Sequence, residues 1–61
     1  MGTEDARLSP DGSRVLVQYG AGAGSILAEY DAGRGKLLKM RPETSDGQAI
    51  AELQQFGETG N

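Results

Sequence analysis

Apolar and polar side chains alternate in three short runs between residues 14 and 41. In "RVLVQY", Arg14 to Tyr19, alternation sets Val15, Val17 and Tyr19 against Arg14, Leu16 and Gln18. In "SILAEY", Ser25 to Tyr30, it sets Ile26, Ala28 and Tyr30 against Ser25, Leu27 and Glu29. "KLLKMR", Lys36 to Arg41, is the third run. A period of two is that of a strand with unlike faces. The β-branched and aromatic residues of the first two runs favour the same conformation. Turn chemistry separates the runs. In "SPDG", Ser9 to Gly12, Pro10 fixes φ for the second turn position and Gly12 accepts positive φ. "DAGRG", Asp31 to Gly35, is another turn, and "GAGAG", Gly20 to Gly24, reads as a flexible hairpin loop.

The alternation also sets a register. Pairing Gly20 with Ser25 and Tyr30 with Lys36 gathers Val15, Val17, Tyr19, Ile26, Ala28, Tyr30, Leu38 and Met40 on one face. Arg14 then falls opposite Asp31. A slip by one residue would scatter the apolar set over both faces. The pattern therefore predicts a three-stranded antiparallel meander at about 14–19, 25–30 and 36–41.

Beyond Pro42, which is expected to end the third strand, the period becomes helical. Ser45 with Gln48 three residues on forms a capping-box signature. Asp46 complements the positive helix start. Ala49, Ile50, Leu53 and Phe56 make one stripe, and Gly57 suits the left-handed residue after a helix. A helix over about 46–56 results. The expected fold is α+β in two layers, a single domain over 1–61 with 1–8 and 58–61 disordered. Its helix is expected to cover the Val15 face. That leaves Leu16, Leu27 and Leu37 among Gln18, Glu29, Lys39 and Arg41 on the other side, a surface suited to a partner.

Composition sharpens this picture. A chain of 61 residues buries only about 60% of its unfolded surface, so association with itself or another protein is expected. There is no cysteine and no histidine, which removes disulfides and the usual zinc, haem and iron–sulfur ligands. No metal and no cofactor are expected. The formal charge of −3 disfavours generic nucleic-acid binding. The sequence contains no membrane-length apolar run and no signal-peptide pattern at its start. Ala6 stands where a myristoylation pattern has Ser or Thr. A soluble, cytoplasmic protein is expected.

The candidate chemistry is thin. The run after Gly24 reads as a strand, so no dinucleotide fingerprint is present, and Gly35-Lys36 lacks the rest of a P-loop. Glu29 and Asp31 share a side of one strand, but salt bridges to Arg14 and Lys39 account for such carboxylates. Without His or Cys there is no base-activated nucleophile of the common kinds. The chain is read as a non-enzyme. Four of its six basic residues lie in "RGKLLKMR", Arg34 to Arg41. Such a strand either contacts phosphates or is an edge kept soluble by its charge.

Two resemblances add to this. "LSPDGSRVLVQYGAGAGSILAEYDAGRGKLLK", residues 8–39, resembles a single blade of a WD-type β-propeller, in its "SPDG" opening and its Asp31-to-Lys36 turn. That resemblance implies a protein-binding scaffold rather than catalysis. "KLLKMRPETSDGQAIAELQQFGE" is similar to the strand-to-helix start of ribbon–helix–helix repressors, which implies DNA reading by paired strands. The leading expectation is a non-enzymatic protein–protein interaction module, an accessory, inhibitory or assembly factor and a homodimer. Its contact surface is expected at Leu16, Leu27, Leu37, Lys39 and Arg41. The alternative is a small nucleic-acid-binding transcriptional regulator using Lys36, Lys39 and Arg41.

Overall fold

Four strands and a helix succeed one another in the computed structural model, which describes residues 5–21 and 24–60. The strands are β1 (Asp5–Leu8), β2 (Arg14–Ala21), β3 (Gly24–Asp31) and β4 (Lys36–Thr44), and the helix is α1 (Asp46–Thr59). The sheet is an antiparallel meander in the order β1-β2-β3-β4. It has four strands, not the expected three. The added strand, β1, precedes the Ser9–Gly12 turn and pairs Leu8 with Val15 and Ala6 with Val17. Its four residues are all exposed, so burial leaves no mark on their pattern. The Met1-Gly2 start, the expected disorder at residues 1–4 and 61, and the middle of the glycine loop at 22 and 23 lie outside the described residues.

The β2/β3 register is the expected one, with Gly20 opposite Ser25 and Arg14 opposite Asp31. Pairing extends to Ala21 and Gly24, so the strands reach further into the glycine stretch than the loop reading allowed. Between β3 and β4 the expected Tyr30–Lys36 pair is replaced by Asp31–Lys36 and Tyr30–Leu37. A bulge then takes up Leu38, and Lys39 falls opposite Glu29. A second irregularity lies between Leu27–Arg41 and Ser25–Thr44. There Pro42 is carried inside the strand instead of ending it, as an edge strand at a bulge permits. Gly24 is needed at this corner, because a Cβ there would stand 2.9 Å from the Thr44 carbonyl oxygen.

Ser45 caps α1 as its sequence suggests, its Oγ accepting from the Gln48 N–H at 3.3 Å. The Gln48 side chain turns instead to Glu52, 3.0 Å away, so the box is half made. The helix passes through Gly57 and ends at Gly60, which has φ 80° and donates its N–H to Phe56 O at 2.8 Å. The expected cap was three residues early because two glycines in this stretch could serve. Gly60 is the one whose N–H closes the last turn.

The helix packs on β1, β2 and β3, on the face opposite to that expected. Ala49, Leu53 and Phe56 meet Leu16 and Leu27 to form the core. Ile50, which shares the predicted stripe, is exposed. The polar neighbours of Leu16 and Leu27 explain the choice. At the helix start, Gln18 Nε2 donates to Ser25 Oγ at 2.9 Å, and Ser25 Oγ donates to Asp46 Oδ1 at 2.6 Å. At its end, Arg14 Nη2 donates to Gly60 O at 2.6 Å, and the guanidinium lies 5.3 Å from the Phe56 ring centre. In its middle, Arg41 donates to both oxygens of Glu52 at 2.5 and 2.6 Å. Hydrogen-bonded polar groups can be buried at little cost. Side chains that looked solvated therefore fasten the helix at three points.

Candidate functional site

Because α1 takes the Leu16 side, the opposite sheet face is open. It carries Val15, Val17 and Tyr19 from β2 and Ile26 and Tyr30 from β3, all half-buried, with the buried Ala28 among them, and the exposed Leu37 and Met40 from β4. Leu8 joins them from β1 through its pairing with Val15. Alternation built this face; a one-residue slip would have broken it. Tyr19 and Tyr30 meet on it, with their hydroxyls 3.2 Å apart. Leu8 is 58% exposed, Leu37 47% and Met40 54%. Every side chain in this set is aliphatic, aromatic or a thioether. Monomeric proteins rarely expose large contiguous apolar surfaces.

The expected contact residues are divided between the two sides. Leu16 and Leu27 are buried in the core under α1. Leu37 lies on the open face, because the turn pairs Lys36 with Asp31 instead of Tyr30, and the bulge at Leu38 then returns Met40 to its expected side. Lys39 and Arg41 stand on the helix side, opposite Glu29 and Leu27. There Leu16, Leu27, Glu29, Lys39, Arg41, Glu52 and Phe56 line a cleft of about 100 Å³ between β4 and α1. Sequence reasoning missed Tyr19, Tyr30 and Met40 as surface residues, because it assigned their face to the helix. It missed Glu52 because a charge on a helix reads as solvated.

The three cations of the nucleic-acid alternative, Lys36, Lys39 and Arg41, share the helix side by register. Each faces an acid: Lys36 is opposite Asp31, Lys39 is opposite Glu29, and Arg41 is bound to Glu52. Glu29 also holds Arg14, at 2.8 Å. The carboxylates thus have structural partners, and Asp31 Oδ1 accepts from Gly33 N at 3.0 Å and Arg34 N at 3.1 Å in the turn. Among the described residues, no three His, Cys, Asp or Glu side chains are grouped to hold a metal. Nor, among them, is any helix long and apolar enough to cross a membrane.

Among the described residues, two carboxylates are held below their ordinary range. Asp11 is lowered from 3.8 to about 2, chiefly by the Ser13 N–H, then by the Ser9 and Ser13 hydroxyls, all donating to its Oδ1. Hydrogen bonding from Arg41 holds Glu52 down as well. A depressed carboxyl stabilises fully above its unfolded value, about 4, and the contribution is lost as pH falls through the folded value. The melting temperature should therefore be level from about pH 7 to 5 and fall between about pH 4 and 2. Asp11→Asn should make that fall shallower. A melting temperature that rises on acidification, followed by circular dichroism, would contradict this assignment.

Comparison with known proteins places the chain beside WD repeat proteins. It is 54% identical over 59 residues to a Deinococcus radiodurans protein described as an uncharacterized WD repeat-containing protein. It is 48% identical over 59 residues to a second protein of that organism with the same description. Both matches cover 97% of this chain and 21% of the relative. The chain thus spans about a fifth of the length of the curated relatives it matches. Their similarity takes in α1 as well as the blade-like strands. No protein-family model matches the chain, and no solved structure matches it.

Proposed function

We propose that this chain is a WD-type, blade-like protein-interaction module whose open sheet face packs against another β-sheet. The relatives of this chain are described as WD repeat-containing proteins, a class whose members are typically non-enzymatic interaction modules. The observation that carries the proposal is the uncovered face running from Leu8 to Met40 across four strands. A flat, apolar, pleated surface is best complemented by another of its kind, packed about 10 Å away. A helix would leave the outer strands uncovered. The relatives are long enough to supply further sheets. For the chain by itself, the available sheet is a second copy, and the product is a homodimer.

The nucleic-acid alternative is the weaker reading, because carboxylates oppose or bind Lys36, Lys39 and Arg41. Sedimentation equilibrium separates the two. Apolar association strengthens in sulfate, whereas phosphate contacts weaken steeply with salt. The expected result is concentration-dependent self-association that survives high salt. A monomer at every concentration and salt would overturn the proposal.

A further inference from the structure

We infer that α1 and the cationic side of β4 together act as a growth stop. They make the sheet one-sided, so that stacking ends once the open face has taken one partner sheet. This rests on the sheet-packing reading above, and the partner to which it commits is a second copy of this chain. Strands of 4, 8, 8 and 9 residues, at about 3.4 Å per residue and about 4.8 Å apart, outline a face of roughly 500 Å². Two copies face to face then bury roughly 1,000 Å², about what a specific interface needs.

The other side of the sheet is also apolar at its centre, where Leu16 and Leu27 stand. A sheet with an apolar stretch on each side can stack on both, and every copy added offers a fresh side to the next. Head-to-tail contacts of that kind need not close, and they give open filaments. The helix removes this option over β1, β2 and β3. It turns Ala49, Leu53 and Phe56 to the sheet and leaves Gln48, Gln54, Gln55 and Glu58 exposed, with Ile50 its one large apolar residue in solvent.

Beyond the seat of the helix, charge takes over. Lys36, Lys39 and Arg41 share the helix side of β4, where Asp31, Glu29 and Glu52 face them. A sheet laid over this side would strip water from all of these ions, which is costly. β4 is therefore two-faced, with Leu37 and Met40 on the open side and three cations on the other. The basic run in β4 thereby has a role that needs no nucleic acid.

The test is sedimentation equilibrium with circular dichroism on full-length chains. The parent should reach a plateau at twice the chain mass. Ala51→Pro, at an exposed position in mid-helix, breaks the helix without removing a core side chain. A milder variant, Asp46→Ala with Glu52→Ala, releases the helix from Ser25 and Arg41. Both should lose helical signal, keep the strand signal, and climb in mass past the dimer with no plateau. Adding Met40→Glu to the milder variant should restore a limit of two, through the Leu16 side alone. A parent that is monomeric at every concentration would remove the sheet-packing reading itself. A parent that dimerises and then grows past two would overturn this inference alone, as would a variant that has lost its helix yet still stops at two. Loss of the strand signal together with the helix in both variants would also overturn it, because the helix would then hold the sheet together rather than limit its stacking.

Discussion

Phe56→Ala should remove most of the chain's folding stability. Phe56 is 2% exposed and joins Leu16, Leu27, Ala49 and Leu53 in the core. It also supports the Arg14 guanidinium, which in turn holds the last turn of the helix through Gly60. Truncating a buried phenylalanine costs about 3–5 kcal/mol. At about 0.05–0.15 kcal/mol per residue, the 61-residue chain has a total stability of about 3–9 kcal/mol. The two quantities are comparable, so this one substitution can remove the folded state. Ile50→Ala is the matched comparison, because Ile50 shares the predicted helical stripe but is exposed. It should change stability by no more than about 0.5 kcal/mol. Urea unfolding followed by circular dichroism distinguishes them. Equal losses for both would mean that the helix is seated on a different stripe.

Met40→Glu should abolish self-association while leaving the fold intact. Met40 lies opposite Ala28 on β4, an edge strand of the open face, and is 54% exposed, so a glutamate there is solvated in the isolated chain. Packed against a second apolar sheet, the same carboxylate would be buried without a partner. An uncompensated buried charge costs about 3–5 kcal/mol. At 1.4 kcal/mol per factor of ten, association should weaken by more than about a hundredfold. The urea midpoint should hardly move. A variant that associates as well as the parent would show that this face is not the one in contact.

How much of this was legible depends on the side chain. Val15, Val17, Tyr19, Ile26 and Ala28 could be placed on one face from alternation alone, and their β2/β3 register is the observed one. Leu37 was placed with Leu16 and Leu27 and lies on the other face, because the irregular β3/β4 pairing around Leu38 follows from no residue with special backbone needs. β1 was invisible for a related reason: four exposed residues carry no burial pattern. The largest misreading concerned which face the helix covers. Counting apolar side chains favoured the Val15 face. The helix instead follows Ser25, Arg14 and Arg41, whose polar groups reach Asp46, Gly60 and Glu52. Such bonds join residues 11 to 46 positions apart, a range at which local periodicity is silent.

That misreading redistributed the candidate site without dissolving it. Leu16 and Leu27, expected at a partner's surface, are core residues that also floor the β4/α1 cleft. Lys39 and Arg41 remain at its mouth, and Leu37 moves to the open face. One largely apolar side of the sheet is still left without the helix, with the identity of that side exchanged.

Hydroxyl-radical footprinting of the associated protein tests this most directly. Met40, Tyr19 and Tyr30 report on the open face, and Ile50 reports on the outer surface of the helix. The account predicts that Met40 and the two tyrosines lose reactivity as association proceeds, while Ile50 keeps it. Protection of Ile50 with Met40 still fully reactive would contradict it.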